Sequence, residues 1–260
     1  MPVTDDLERI KHALQQARDI ARPFTSGNVA SRRKAGGDPV TQLDLELDSL
    51  LKRILRTPGD GWLSEETADD ESRLTCRRVW IVDPLDGTRE FIEGIPEWCI
   101  SVALMQEGVL VAGGICNPAT GEQFLGAVGQ GVTLDGVPVS VKADAVLSGA
   151  SVLASRSEVK AGRWARFAGS PFDVIPCGSV AYKLARVSAG LADATFTLVP
   201  KNYWDIAAGV VLVQAATGIV ADPSGASLDF SSQSTLVPGL VAGPAELVSG
   251  LLAYIHGRPS

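Results

Sequence analysis

The sequence predicts an α/β protein made of two abutting halves, and three observations support this class. Apolar residues recur at helical spacing in the first 55 residues, strand-length apolar runs separated by turns follow over residues 79–141, and strands alternate with helices from about residue 145 onward. We therefore predict an N-terminal half over residues 1–145, rich in antiparallel strands, and a C-terminal half over residues 146–260. No linker-like composition separates them, so the halves are expected to pack directly together.

The individual elements follow from periodicity and turn residues. The first helix places Leu7, Ile10 and Leu14 on one face, and a second helix begins near Thr41 and ends before Pro58. Strands of the first half are predicted over residues 79–83, 99–105, 109–115, 122–128 and 132–141. The second half is predicted to contain strands near 150–154, 172–176, 192–197, 217–221 and 236–242, and helices near 178–189, 204–216 and 244–256.

Composition removes several classes of function. No apolar run reaches the roughly 18 residues that cross a bilayer, and the chain begins with an acidic rather than a basic and apolar stretch, so we expect a cytoplasmic protein without a membrane partner. The formal net charge of -7 argues against a nucleic-acid partner, because binding to phosphate backbones requires a surplus of lysine and arginine. The four cysteines lack paired spacing and are predicted to be free thiols.

Histidine chemistry is also disfavoured. The two histidines, His12 and His256, lie at opposite ends of the chain within predicted helices. Ser-His-Asp hydrolases and histidine-rich zinc hydrolases need an imidazole beside other reactive groups, and no such grouping is visible. Carboxylates remain as the candidates for catalysis.

The strongest acidic motif is Asp83-Pro84-Leu85-Asp86-Gly87-Thr88, directly after the apolar strand at 79–82. Two carboxylates this close repel each other unless a cation lies between them, and ligands that are all oxygen select Mg²⁺ or Mn²⁺. Gly87 would let backbone amides approach an anion. The alternative is an ordinary surface turn. Haloacid dehalogenases are disfavoured because their two catalytic aspartates lie two residues apart, and position 84, two residues before Asp86, is proline. An EF-hand needs oxygen ligands at alternate positions and a terminal glutamate, and the residues after Thr88 do not continue that pattern.

Acidic residues in three further segments have both a functional and a structural interpretation, the functional one being that they could bind the same metal or act in catalysis. Glu65 and Glu66 follow a short apolar stretch, and such a pair is commonly a solvated surface feature. Asp44 forms a capping-box pattern with Thr41 at the start of the second helix. Asp205 precedes a helix of small and apolar residues, where an acid either caps the helix or completes a metal site.

Together these motifs resemble the inositol monophosphatase superfamily, which includes 3′(2′),5′-bisphosphate nucleotidases and is related to fructose-1,6-bisphosphatases. Leu-Ser-Glu-Glu at 63–66, Asp-Pro-Leu-Asp-Gly-Thr at 83–88 and Trp-Asp-Ile-Ala-Ala-Gly at 204–209 occur in the order and spacing of that family. The match runs from Lys34 to about Asp222. The resemblance implies a layered αβαβα sandwich, a homodimer, dependence on two or three Mg²⁺ ions with Mn²⁺ as an alternative, and inhibition by Li⁺.

The resemblance also implies roles for individual residues. One metal would be held by Glu65, Asp83 and the Leu85 carbonyl, a second by Asp83, Asp86 and Asp205, and a third more weakly through Glu65. Glu65, Asp44 and Thr88 would be the catalytic residues, with Asp44 and Thr88 positioning the attacking water. The substrate contacts implied in this way are Gly87, Thr88, Lys34, Gly178, Ser179 and Lys183.

The expected reaction is hydrolysis of a small phosphate ester by metal-activated water, with a preference for 3′-phosphoadenosine 5′-phosphate. That preference rests on likeness to the nucleotidase branch in the segments Arg89-Glu90-Phe91-Ile92, Ser155-Arg156-Ser157 and Gly178-Ser179. The segment 190–195 is common to both branches, and Lys201 departs from the acidic residue often found just before the tryptophan of the family. Inositol-1-monophosphatase, a broad-specificity sugar or histidinol phosphatase, and a catalytically silent sensor of phosphate or metal remain alternatives.

Overall fold

Helices and sheets alternate in five layers in the computed structural model, which describes residues 3–24, 27, 31–33 and 39–257. The helices are α1 (Val3–Ala21), α2 (Gln42–Leu55), α3 (Thr88–Glu93), α4 (Arg156–Lys160), α5 (Val180–Ser188), α6 (Tyr203–Ala215) and α7 (Ala245–His256), with 3₁₀ helices at Ser72–Thr75 and Ala165–Phe167. The strands are β1 (Ser31–Arg33), β2 (Pro39–Thr41), β3 (Gly61–Ser64), β4 (Arg78–Asp86), β5 (Cys99–Gln106), β6 (Val109–Cys116), β7 (Gln123–Ala127), β8 (Gly131–Leu134), β9 (Val137–Val139), β10 (Ser151–Ser155), β11 (Asp173–Cys177), β12 (Ala194–Thr197), β13 (Lys201–Asn202), β14 (Ile219–Ala221), β15 (Leu236–Val237) and β16 (Leu240–Gly243).

Two large sheets form the framework. The first has seven strands in the order β3-β4-β5-β6-β7-β8-β9, with β3 parallel to β4 and all other neighbours antiparallel. The second has five strands in the order β11-β10-β12-β16-β14, with β10 parallel to both neighbours and β16 antiparallel to both of its own. The pairs β1/β2 and β13/β15 form small two-stranded sheets.

Three apolar clusters hold the layers together. The first joins α1 and α2 to one face of the seven-stranded sheet and includes Leu14, Leu47 and Trp80. The second surrounds α5 and α6 between the two sheets, where α6 is apolar on all sides, as a helix covered on every face requires. The third packs α7 against the outer face of the five-stranded sheet around Phe196 and Leu251. This αβαβα arrangement confirms the predicted fold class.

Most predicted elements are confirmed, with three differences. The single strand predicted near residues 236–242 is wrong: the strand breaks at Gly239, whose φ is 142°, into β15, which pairs with β13, and β16, which belongs to the five-stranded sheet. The strand predicted over residues 132–141 is wrong: it is the hairpin β8 and β9, which turns at Asp135 and Gly136 with positive φ angles of 50° and 81°. The alternating second half also contains an antiparallel strand, β16, between β12 and β14. The apolar cluster around α5 and α6 contains residues from both sides of residue 145. The division into two halves at that point therefore stays a prediction.

Two further sequence expectations can be compared with the structure. All four cysteines are free thiols, as predicted, and three of them are buried. Among the described residues, no helix combines the length and the apolar character needed to span a membrane.

Glycine allows α6 to lie close to α5. A Cβ atom built at Gly209 would lie 2.4 Å from Cβ of Leu184, which is far inside van der Waals contact. On the sheet side, a Cβ at Gly113 of β6 would lie 3.1 Å from the carbonyl oxygen of Ala208. The small residues of 207–209 therefore fit α6 tightly against both a helix and a sheet.

We expect Gly209→Ala to lower the free energy of unfolding by about 1–3 kcal/mol, because the added methyl group overpacks the α5/α6 contact. This loss should appear although alanine favours a helix over glycine by about 1 kcal/mol. Gly250→Ala in α7 is the matched control, since a Cβ there meets nothing nearer than Leu147 at 3.7 Å. Denaturant unfolding should show the control unchanged or stabilised; stabilisation of both variants would contradict the packing argument.

Candidate active site

Three carboxylates from separate elements meet at one end of the sandwich. Glu65 directly follows β3, Asp83 lies in β4 and Asp205 lies in the first turn of α6. One ligand oxygen from each lies within 4.8 Å of the others. Parallel pairing of β3 with β4 sets Ser64 opposite Val82, and the Glu65 amide continues this pairing by donating to the Val82 carbonyl at 3.3 Å. The two strands therefore deliver Glu65 and Asp83 to the same edge.

Asp83 occupies the most buried position of this cluster, with a residue exposure of 1%. Its Oδ1 accepts a hydrogen bond from the Leu85 amide at 3.0 Å, whereas its buried Oδ2 has no hydrogen-bond partner. Burial raises the pKa of Asp83 well above its ordinary value, and the charges of Glu65, Asp86 and Asp205 raise it further. A buried, unsatisfied carboxylate oxygen among like charges fits a divalent cation bound there.

Asp205 caps helix α6 and also belongs to the acidic cluster. It is the third residue of α6, and its Oδ2 accepts the Asn202 amide at 3.0 Å in a capping box. Burial, with the charges of Asp86 and Glu65, raises the pKa of Asp205 to about 8. The helix-cap interpretation is therefore confirmed, and Asp205 also lies in the acidic cluster, while its role as a metal ligand stays a prediction.

Asp86 adjoins the cluster without being one of its three members. Its Oδ2 accepts hydrogen bonds from the Ser179 hydroxyl at 2.6 Å and from the Ala181 amide at 2.7 Å. These bonds tie the end of β4 to the beginning of α5. Because its charge contributes to the raised pKa values of Asp83 and Asp205, Asp86 lies close to both. That Asp86 binds a metal ion stays a prediction.

Asp44 and Thr88, which the resemblance implies would position the attacking water, are hydrogen-bonded to each other. The Thr88 hydroxyl donates toward Asp44 Oδ1 at 3.4 Å and toward the Leu85 carbonyl at 3.1 Å. The other oxygen, Asp44 Oδ2, accepts the Thr41 amide at 2.9 Å and also the Thr41 hydroxyl, completing the capping box of α2. Burial raises the pKa of Asp44, and the charge of Glu65 adds to this effect. The structure thus brings Asp44, Thr88 and Leu85 together beside the cluster.

Gly87 forms the turn between β4 and α3. Its φ of 97° lies in the left-handed region that glycine adopts easily, and a Cβ there would lie 3.0 Å from the carbonyl oxygen of Glu97. The turn borders a cavity of about 290 Å³. The residues lining this cavity are Glu65, Leu85, Asp86, Gly87, Thr88, Arg89, Glu90, Ser155, Ser157, Gly178, Ser179, Val180, Lys183, Lys201, Asn202, Trp204 and Asp205.

The other predicted substrate contacts have competing partners. Gly178 donates its amide to Glu97 at 2.7 Å, and Ser179 uses its hydroxyl both to bind Asp86 and to accept the Tyr182 amide as the cap of α5. Lys183 is 3% exposed, and its Nζ donates to the Ser179 carbonyl at 3.0 Å. These residues border the cavity and support its wall. Lys34 lies outside the described residues.

Two acidic residues near the site have no signal in the sequence motifs. Glu97 accepts hydrogen bonds from Arg156 and Gly178, which are 59 and 81 residues away, so no local pattern could indicate it. Asp48 lies one helical turn after Asp44 and binds the hydroxyls of Ser64 and Thr67 on either side of Glu65. Its spacing of four residues from Asp44 is the only available hint.

Comparisons with known proteins show the family to which the chain belongs. The model of the family described as "Inositol monophosphatase family" matches residues 4–257. The chain belongs to the inositol monophosphatase family. It is 32% identical over 246 residues to inositol monophosphatase of Mesembryanthemum crystallinum, covering 89% of this chain and 90% of that protein. It is 31% identical over 253 residues to Nus factor SuhB of Escherichia coli K12, covering 93% and 91%.

A solved structure of this family has the same fold. The IMPase of Thermotoga maritima aligns with a TM-score of 0.84 at 26% identity, covering 99% of this chain and 98% of that one. Members of the inositol monophosphatase family are metal-dependent phosphatases that hydrolyse phosphate monoesters. As a member of the family, the chain is a phosphatase of this class. The expected preference for a bisphosphate nucleotide stays a prediction, since the relatives described above are inositol monophosphatases and SuhB.

The raised pKa of Asp205 leads to a test on the metal-free protein. A carboxyl group with a folded-state pKa of about 8 contributes stability that is complete below the ordinary value of 3.8 and is lost once the pH has risen through 8. Asp205→Asn removes the ionisation, so its melting temperature should exceed that of the wild type by several degrees at pH 9 and by much less at pH 5. Thermal unfolding in a chelator would measure this difference.

Asp222→Asn is the control for this test. Hydrogen bonds from Ser224 lower the pKa of Asp222, so its contribution is constant between pH 5 and pH 9. Added Mg²⁺ should stabilise the wild type at pH 9 more than it stabilises Asp205→Asn, because the variant loses a carboxylate of the acidic cluster. A difference between wild type and Asp205→Asn that is equal at both pH values would refute the role of buried charge.

Proposed function

We propose that this phosphatase uses Mg²⁺ to hydrolyse inositol 1-phosphate or a closely related polyol phosphate. The observation that carries the proposal is the meeting of Glu65, Asp83 and Asp205 within 4.8 Å, at the edge of a polar cavity. Support for the substrate class comes from relatives named inositol monophosphatase that match along most of their length. A homodimer is proposed on the resemblance alone, and a cytoplasmic location on the composition of the chain.

The ligands for the metal would be all oxygen. Glu65, Asp83 and the Leu85 carbonyl would hold one ion, and Asp83, Asp86 and Asp205 would hold another, with a third bound weakly through Glu65. Such a donor set suits Mg²⁺ and also Mn²⁺. When bound, these ions acidify a coordinated water and neutralise charge on the leaving oxygen.

Asp44 and Thr88 would orient the attacking water. Because the Thr88 hydroxyl directs its proton toward Asp44 and the Leu85 carbonyl, its lone pair is left to accept a hydrogen bond from water. Asp44 in turn is held by Thr41 in the capping box of α2, which restricts its rotation. The amides of Gly87 and Thr88 are the proposed contacts to the phosphate. The chain thus supplies orientation, which is a large share of catalysis in phosphoryl transfer.

A second candidate substrate is 3′-phosphoadenosine 5′-phosphate. The observation that favours it is the set of cations lining the cavity, which are Arg89, Lys183 and Lys201. The charge of Lys201 acts on Lys183 and lowers its pKa further, after the larger effect of burial, so the two lysines lie near each other. A second phosphate group on the substrate would be attracted to that side of the cavity.

A phosphate-release panel in Mg²⁺ distinguishes the candidates. The substrates are inositol 1-phosphate, 3′-phosphoadenosine 5′-phosphate, fructose 1,6-bisphosphate and histidinol phosphate, compared by specificity constant. We expect the highest value for inositol 1-phosphate. A clear preference for the nucleotide would establish the second candidate, preference for the sugar or histidinol ester would reject both, and no turnover of any ester would favour a silent sensor.

The adjacent acids Glu65 and Glu66 provide a matched pair of variants. Glu65→Gln should lower turnover by about 100-fold or more, because even partners outside the coordination shell of a metal are worth 10- to 100-fold. Glu66→Gln should stay close to wild type, since Glu66 is not a member of the three-carboxylate cluster. Initial rates at saturating Mg²⁺ would measure both; equal losses would contradict the assignment of Glu65.

A further inference from the structure

Asp48 holds the segment that carries Glu65. It lies on α2 one turn after Asp44 and is largely buried, with 9% residue exposure. Its Oδ1 accepts the Ser64 hydroxyl at 2.6 Å, and its Oδ2 accepts the Thr67 hydroxyl at 2.8 Å. The two hydroxyl donors come immediately before and two residues after Glu65. One carboxylate therefore fixes both ends of the turn over residues 64–67.

The backbone of Glu65 is also fixed from the opposite side. Its amide donates to the Val82 carbonyl of β4 at 3.3 Å, one residue before Asp83. The Ser64 oxygen, while donating to Asp48, accepts the Glu66 amide at 3.3 Å. The direction of the Glu65 side chain thus depends on two supports, the strand that carries Asp83 and the carboxylate of Asp48.

We propose that Asp48 is a positioning residue that directs Glu65 into the metal site, an inference that rests on the proposed metal-dependent function. Both oxygens of the Asp48 carboxyl group are used as acceptors, so loss of either one frees a hydroxyl and lets the turn rotate. A metal ligand must be held within a fraction of an ångström of its working position. Asp48 supplies this precision without contacting substrate.

Helix α2 carries both Asp48 and Asp44. Asp44 on the same helix binds Thr88, so one rigid helix connects the water-orienting pair with the segment of Glu65. Neighbouring residues on one helix face keep their separation because the backbone hydrogen bonds of the helix fix it. The distance between these two parts of the site is therefore set by α2 rather than by the loops themselves.

Direct metal binding tests the proposal independently of turnover. We would titrate the metal-free full chain with Mn²⁺, following free Mn²⁺ by electron paramagnetic resonance, for the wild type, Asp48→Asn and Thr67→Val. Asparagine keeps one acceptor and loses the other, and valine keeps the shape of threonine without its hydroxyl. We expect Asp48→Asn to weaken Mn²⁺ binding by about 10- to 100-fold and Thr67→Val by less, as is typical for partners of metal ligands.

Asp60→Asn is the matched control. Asp60 is also buried, and it accepts the Thr57 hydroxyl at 2.8 Å and the Trp80 indole at 3.0 Å, but neither partner belongs to the segment over residues 64–67 that carries Glu65. It should lower the melting temperature while leaving Mn²⁺ affinity within about twofold of wild type. If Asp60→Asn weakens Mn²⁺ binding as much as Asp48→Asn does, the role of Asp48 is general stability and the proposal is wrong.

The remaining outcomes are also decisive. A folded Asp48→Asn protein that binds Mn²⁺ as tightly as wild type overturns the proposal. If Asp48→Asn does not fold, Thr67→Val replaces it, and unchanged Mn²⁺ binding in that variant overturns the proposal as well. A wild type that binds Mn²⁺ but releases phosphate from no ester refutes the proposed function alone, and the binding comparison still judges Asp48.

Discussion

Repulsion among buried carboxylates at Asp83 is the constraint around which this protein is organised. Burial and the charges of Glu65, Asp86 and Asp205 all act against the ionised form of Asp83. Flexible side chains would turn away from one another, so the acids must be held by rigid elements. A central strand, a strand end and a helix cap do this here, and the three apolar clusters between the layers hold those elements in place.

The same local device is used twice to hold an acid. Asp44 and Asp205 are each the third residue of a helix, and each gives one carboxylate oxygen to the backbone of its capping residue, Thr41 or Asn202. The cap satisfies an otherwise unpaired amide and fixes the side chain, while the second oxygen remains for the site. The same carboxylate can therefore cap a helix and face the acidic cluster, which is why the sequence supported both interpretations.

The limits of sequence-based prediction follow from distance along the chain. The capping box of Thr41 and Asp44 is a local pattern, and the structure contains it as predicted, while the sequence indicated Asp205 only as a candidate helix cap. The bonds from Asp86 to Ser179 and from Glu97 to Gly178 join residues 93 and 81 apart, and their formation depends on how α5 docks against β4. Periodicity likewise indicates that β16 is a strand, but not that it runs antiparallel between two others.

Substrate choice must arise away from the carboxylate cluster, because acids that hold metal treat all phosphate monoesters alike. The part of the cavity wall contributed by the second half of the chain differs from the carboxylate cluster because it includes a cation. There Lys201 lies 3.5 Å from the buried Glu158, which also accepts hydrogen bonds from Thr197 and Trp164. Since Glu158 is itself fixed by two donors, it holds the Lys201 cation at the cavity edge, where a defined charge can distinguish one phosphate ester from another.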